Sequence, residues 1–159
     1  MLSVAERIIS GEIDPPPVAK LIGFNLRSVE RGRAVLDMEA GPQHWNPMGG
    51  LHGGILCDLT DAAMGIAYSS TLAEGEAFAT VELKINFLRP VKRGHLIAEG
   101  WVVSGGRTLG YTEAEVRDDD GRLVAKASST CKKIAASEAV ASTRVDSPAG
   151  DSPAPSRAI

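Results

Sequence analysis

A chain of 159 residues with 43% hydrophobic residues has room for one domain with an apolar core plus a tail, and with only 4% aromatics that core must be filled by aliphatic side chains. A formal charge of −3 argues against nucleic acid as the main partner, and no apolar run reaches the length of a membrane span. Two cysteines, Cys57 and Cys131, and an N-terminus without a basic start or long apolar middle fit a cytoplasmic protein with reduced, packed thiols.

In chain order, residues 4–10 form a short amphipathic helix with Val4, Ile8 and Ile9 inward. Pro15-Pro16-Pro17 ends it and starts a turn over 18–22, closed by Gly23. Phe24 to Glu30 and Arg33 to Glu39 read as strands joined at Arg31-Gly32.

The stretch from Asn46 to Leu72 organises the rest. Four glycines and a proline within Asn46-Pro47-Met48-Gly49-Gly50-Leu51-His52-Gly53-Gly54 require a loop. The following residues, Ile55 to Tyr68, are rich in Ala, Leu, Ile and Met and read as a helix that is apolar nearly all round, hence buried on most faces. Its start offers unpaired backbone N–H groups and the positive end of the helix dipole. Asp58 and Asp61, spaced i, i+3, share one face of it. A carboxylate in such a helix, facing the same opening as the glycine turn, suits acyl chemistry; spacing alone divides that role between the two. Small residues Ala62, Ala63, Gly65 and Ala67 suggest space for a ring or a short chain.

After a turn at 73–76, Ala79, Val81, Leu83, Ile85 and Phe87 alternate with Thr80, Glu82, Lys84 and Asn86. This is a long strand with one apolar face, and Thr80 falls on its polar face, away from the helix. His95 to Val103, Leu109 to Arg117 and Arg122 to Ile134 complete a meander of about four strands, with Asp118-Asp119-Asp120-Gly121 as a hairpin turn. The fold class is α+β, an antiparallel sheet wrapped around one long central helix. The parts divide as a helical segment over 1–22, a domain over 23–134 and a disordered tail over 135–159, where Ala, Ser, Pro and Asp replace large apolar residues.

Asn46, the His52-Gly53-Gly54 turn, Asp61 seven residues past that turn's second glycine, and the strand end Phe87-Leu88-Arg89-Pro90 together resemble the hotdog-fold acyl-CoA thioesterases of the phenylacetyl-CoA and 4-hydroxybenzoyl-CoA group, over roughly residues 20–134. The resemblance implies hydrolysis of an acyl-CoA or aryl-CoA thioester. It places the nucleophile or general base on Asp61 and the oxyanion donor on the Gly53 amide. Asn46 and His52 then flank the carbonyl, and Thr80 helps hold water across a subunit boundary. Gly54 and Asp58 fall beside the substrate. Arg89, Lys92, Arg93, Gly106 and Arg107 fall where the family meets coenzyme A phosphates. It further implies a homo-oligomer, a dimer paired into a tetramer. There is no cofactor, since coenzyme A is part of the substrate, and no nucleic-acid or membrane partner.

Each position also has a plainer reading. Asn46 before a proline can bond its own loop. His52 can be a satisfied loop residue, and the positive helix end disfavours it as a base. Thr80 can be an ordinary exposed strand residue, and the basic cluster at 89–93 a solvated one. No His/Cys spacing matches a metal site among three separated histidines. Two other functions share the fold. One is a non-catalytic acyl-CoA binding or regulatory module, which gains nothing from a buried carboxylate. The other is a dehydratase, which wants a catalytic His beside the helix acid.

Overall fold

Two short helices lead into six antiparallel strands, and one long helix separates the second strand from the third. The computed structural model describes residues 2–137; the expected tail lies outside the described residues from 138 onward, and its first residue, Ala135, ends the last strand. Helix α1 spans Leu2–Ile9 and α2 spans Pro17–Ile22. Ile8 turns toward the sheet edge, whereas Val4 and Ile9, both expected inward, are exposed, Val4 at the rim of a cleft over Phe24 and Leu26. Pro17 sits at the first turn of α2, where its missing N–H costs nothing, and Gly23 ends α2 at φ 87°, a left-handed conformation that favours glycine.

The strands are β1 Phe24–Glu30, β2 Arg33–Ala40, β3 Glu76–Phe87, β4 Gly94–Gly105, β5 Leu109–Asp118 and β6 Leu123–Ala135, and the long helix, α3, is Gly53–Ser69. The sheet order is β1-β2-β4-β5-β6-β3. The expected meander of four strands is therefore three, β4-β5-β6. β3 crosses to the far edge and pairs only with β6. The strand lengths alone could not separate these topologies, because an edge strand and a central one carry the same alternation.

All six strands touch α3, which explains its all-round hydrophobicity. Leu56, Leu59, Ala63 and Ala67 are buried against Leu36, Met38, Leu96, Val116 and Val124, and Met64 against Ala114 and Ala127. A row of small residues lets the helix sit down on the sheet: Ala34, Gly100, Ala114 and Ala127 are successive cross-strand partners. A methyl group on Gly100 would lie 2.5 Å from the Ala63 carbonyl carbon. Gly110 likewise leaves room for the Tyr68 ring. Ala63, Gly65 and Ala67 are fully buried by this packing, so the space their size suggested is occupied by sheet side chains such as Phe78, against Gly65. Both cysteines are free thiols.

On the face turned away from α3, Asp37 of β2 is only 3% exposed. Its carboxylate pairs with Arg27, accepts from Asn25 at 3.4 Å and meets His95 Nε2 at 2.6 Å. Burial pushes the Asp37 carboxyl up, but the hydrogen bonds from Arg27 and His95 and the Arg27 charge outweigh it and hold it below the usual range. The same contact raises His95, whose Nδ1 also lies 3.3 Å from Asp119.

Candidate functional site

The glycine loop is closed at its base by an antiparallel bridge between Trp45 and Leu51. Within it Asn46 does the joining. Its Oδ1 accepts from the Met48 and Gly50 amides at 2.9 and 3.3 Å, and its backbone bonds Gly50 and Gly49. Two donors on one oxygen fix the amide's orientation and leave Nδ2 free to donate outward. The loop reading of Asn46 is thus met, and a second hydrogen-bonding edge remains.

His52 is the N-cap of α3: its Nδ1 accepts from the Gly54 N–H at 2.9 Å. A ring nitrogen that accepts carries no proton, in keeping with the positive helix end beside it. Gly54 therefore has no N–H to offer a substrate, because His52 consumes it. Gly53 differs. As the first residue of the helix its amide has no intrahelical acceptor, and none among the described residues takes it. A side chain there would meet the Phe87 ring, 2.8 Å from the nearest ring carbon. Leu51, Pro90 and Val91 join two adjacent clefts, about 400 Å³ beside Gly53 and Phe87 and about 530 Å³ beside Asn46, into one channel at this helix end.

Asp61 lies two turns further along α3, half-buried, and accepts a hydrogen bond from Thr80 Oγ1 at 3.0 Å. That contact corrects the expectation that Thr80 faces away from its own helix. The pairing of β3 with β6 shifts between Thr80 and Glu82, leaving Val81 as the extra residue of a bulge. Upstream of the bulge Phe78 and Thr80 face the helix; downstream Leu83, Ile85 and Phe87 do. One inserted residue inverts the phase of a period-2 pattern. Val81, read as core, is 59% exposed as a result.

Asp58 projects from the same side of α3 with its side chain open to solvent. Packing around its base, then the Asp61 charge, pushes its carboxyl above the usual carboxylate range. Burial also raises both thiols, so neither Cys57 nor Cys131 is a ready nucleophile.

Gly53 and Asp61 do not meet within one chain: eight residues at 1.5 Å each separate them by about 12 Å along α3. The basic residues divide in the same way. Arg89, Lys92 and Arg93 are exposed at the Gly53 end, where Arg93 stacks 5.2 Å from the Trp45 ring and Trp45 Nε1 donates to the Lys92 carbonyl at 2.7 Å. Gly106 and Arg107 form the β4–β5 turn, closed by the Gly106 N–H to the Leu109 carbonyl at 2.8 Å. That turn lies about 35 Å along β4 from Arg93, at the end of the sheet that holds Thr80. Sequence reasoning did not single out Trp45, and it used Phe87 only as the end of the strand motif, without placing it against Gly53. Among the described residues no three His, Cys, Asp or Glu side chains are placed to hold a metal ion, and no helix is long and apolar enough to cross a membrane.

Residues 48–125 match the family model of the thioesterase superfamily. A candidate esterase of Saccharolobus solfataricus is 36% identical over 110 residues, 69% of this chain and 78% of that one. Human acyl-coenzyme A thioesterase 13 is 28% identical over 105 residues, 65% of this chain and 74% of that one. Among solved structures, a phenylacetic acid degradation-related protein from Ralstonia eutropha JMP134 superposes with a TM-score of 0.73 at 32% identity, over 80% of this chain and 98% of that one.

Proposed function

The chain belongs to the thioesterase superfamily and is a thioester hydrolase of hotdog fold, and we propose that it cleaves acyl-CoA or aryl-CoA thioesters at a site shared by two copies of the chain. The observation that carries this reading is the division of α3: a free Gly53 amide at its start, and a carboxylate held by Thr80 about 12 Å further on. Neither end is a complete site. β3 lies at a sheet edge, so twelve residues of backbone, Glu76–Phe87, have one side open to another strand. Antiparallel pairing of two β3 edges about a two-fold axis brings the Gly53 end of one copy to the Asp61 end of the other, twice over.

At each such site the thioester oxygen accepts from the Gly53 N–H, with the helix dipole behind it. Asn46 Nδ2 and the outer edge of His52 flank the carbonyl. Thr80 holds Asp61 Oδ1, leaving the second oxygen to act. That oxygen attacks the carbonyl carbon, expelling coenzyme A as thiolate and leaving an anhydride that water opens. Alternatively it takes a proton from water, whose oxygen attacks in its place. Both routes yield the free acid and coenzyme A. A single turnover in heavy-oxygen water puts solvent oxygen into the Asp61 carboxylate only by the first route, with water opening the anhydride at the Asp61 carbon.

The same pairing gathers the basic residues. Arg89, Lys92 and Arg93 of one copy join Gly106 and Arg107 of the other on one side of the dimer, a setting for coenzyme A phosphates. Asp58 sits at the seam between copies. Dimers of this kind pair into tetramers in the cytoplasm. A dehydratase is less well served, because His52 spends Nδ1 on the Gly54 N–H as the cap of α3. The test is release of free thiol from a panel holding phenylacetyl-CoA, 4-hydroxybenzoyl-CoA and straight-chain acyl-CoA esters. Turnover of at least one supports the reading; binding of the esters without release of thiol from any overturns it in favour of a binding module.

A further inference from the structure

The bulge that brings Thr80 to Asp61 has a cost: it takes one residue of β3 out of register and breaks the ladder beside it. A backbone carbonyl left without its ladder partner by such a break is open to a donor from elsewhere. Ser129 supplies one. It is fully buried on the helix-facing side of β6, in a run where its neighbours on that face, Ala125, Ala127 and Cys131, are small and weakly polar or apolar. Its Oγ donates to the Glu82 carbonyl, the residue just past the bulge, at 2.8 Å. Its own carbonyl accepts from Thr112 Oγ1 at 3.2 Å, which ties it to β5. From the opposite face Thr130 Oγ1 grips the Glu82 carboxylate at 2.9 Å.

We propose that Ser129 is a positioning residue for thioester hydrolysis, acting through the bulge: its hydroxyl pins Glu82, and the bulge so fixed turns Thr80 onto Asp61. Without the bulge an unbroken alternation from Leu83 backward puts Thr80 on the outer face with Lys84 and Asn86, out of reach of α3. Ser129 touches neither substrate nor Asp61. Its contribution depends on the reading of Asp61 as the reacting carboxylate.

The test compares the full chain with Ser129→Ala, Thr80→Val, and the pair of changes together, assayed by thiol release from phenylacetyl-CoA or, where that ester is inert, the panel member turned over fastest. Each single change lowers kcat by about tenfold to a hundredfold with KM within about twofold, as a small displacement of a reacting group does. The double variant is no slower than Thr80→Val alone, because both act through one contact. Ser129→Cys, of similar size but a weak donor, falls between wild type and Ser129→Ala. A Ser129→Ala enzyme with wild-type kcat overturns the proposal, and so do losses that multiply in the double variant. Should circular dichroism show Ser129→Ala unfolded, a folded Ser129→Cys with unaltered kcat overturns it equally. If Asp61→Asn retains turnover, the reading of the site fails; if Asp61→Asn is inactive while Ser129→Ala is not impaired, only the role of Ser129 fails.

Discussion

The two ends of α3 are built by opposite means. At the Gly53 end almost everything is local: Asn46 closes its own loop, His52 caps the helix two residues on, and the free amide follows from being first in the helix. At the Asp61 end nothing is local. The carboxylate is held by Thr80, nineteen positions away, and Thr80 is aimed by a bulge in the pairing with β6, some fifty positions further on. The first end tolerates changes elsewhere in the fold; the second depends on the register of two strands.

The harshest way to break the comparison is at Asp61. Asp61→Asn lowers kcat by about 10²- to 10⁴-fold in the thiol-release assay, the range for loss of a base or nucleophile, with thermal unfolding little changed. If Asp58→Asn is the inactive variant instead, the two acids exchange roles. At the other end, Gly53→Val crowds the amide and strikes Phe87, lowering kcat by about 10²- to 10³-fold. Pairing it with Phe87→Ala restores room without restoring an open carbonyl site. Recovery of stability without activity is therefore the expected result, and recovery of both marks Gly53 as merely structural.

Mixing the two inactive proteins sharpens the comparison further. A heterodimer of Asp61→Asn with Gly53→Val has one site with both groups intact, so unfolding and refolding the mixture regains about a quarter of wild-type activity when copies pair at random. A mixture as inactive as its components places both groups in one chain's site. The smallest effect leaves both ends alone. His95 lies above its ordinary value of 6.5 in the folded chain, so its contribution to stability is full below that pH and is lost as pH rises through the folded value. The unfolding temperature of wild type therefore falls from pH 6 toward alkaline pH, and His95→Gln flattens that slope with kcat preserved.

These contrasts also mark what could be read from residues alone. The helix and its loop were legible because glycine, proline and a run of small apolar residues act within a few positions, whereas the capping of α3 by His52 was not read. The faces of β2 and β5 were legible by alternation, Ala34, Leu36 and Met38 against Val35 and Asp37, and Glu113, Glu115 and Arg117 on one side. The face of Thr80 was not, since a bulge is decided by the partner strand and β3 carries no glycine to mark one. Nor was the place of β3 in the sheet, because the same apolar alternation suits a centre or an edge. The basic residues at 89–93 and the turn at 106–107 lie at the two ends of the expected strand His95 to Val103, so their separation was legible from its length. Ser129 was visible as one polar residue in a buried phase, without any hint of what it bonds.

The position of β3 also sets a timetable for synthesis. β3 emerges from the ribosome directly after α3, yet among the described residues its one strand partner is β6, the last of the six strands. Thr80 faces Cys131 across that pair. At about 5–20 residues per second, the fifty or so residues between them take roughly 3 to 10 s to appear. For that interval the nascent chain carries a finished helix and a long strand open along both edges. A chain stopped before Leu123 holds every group named at the two ends of α3 and still lacks the strand that aims Thr80.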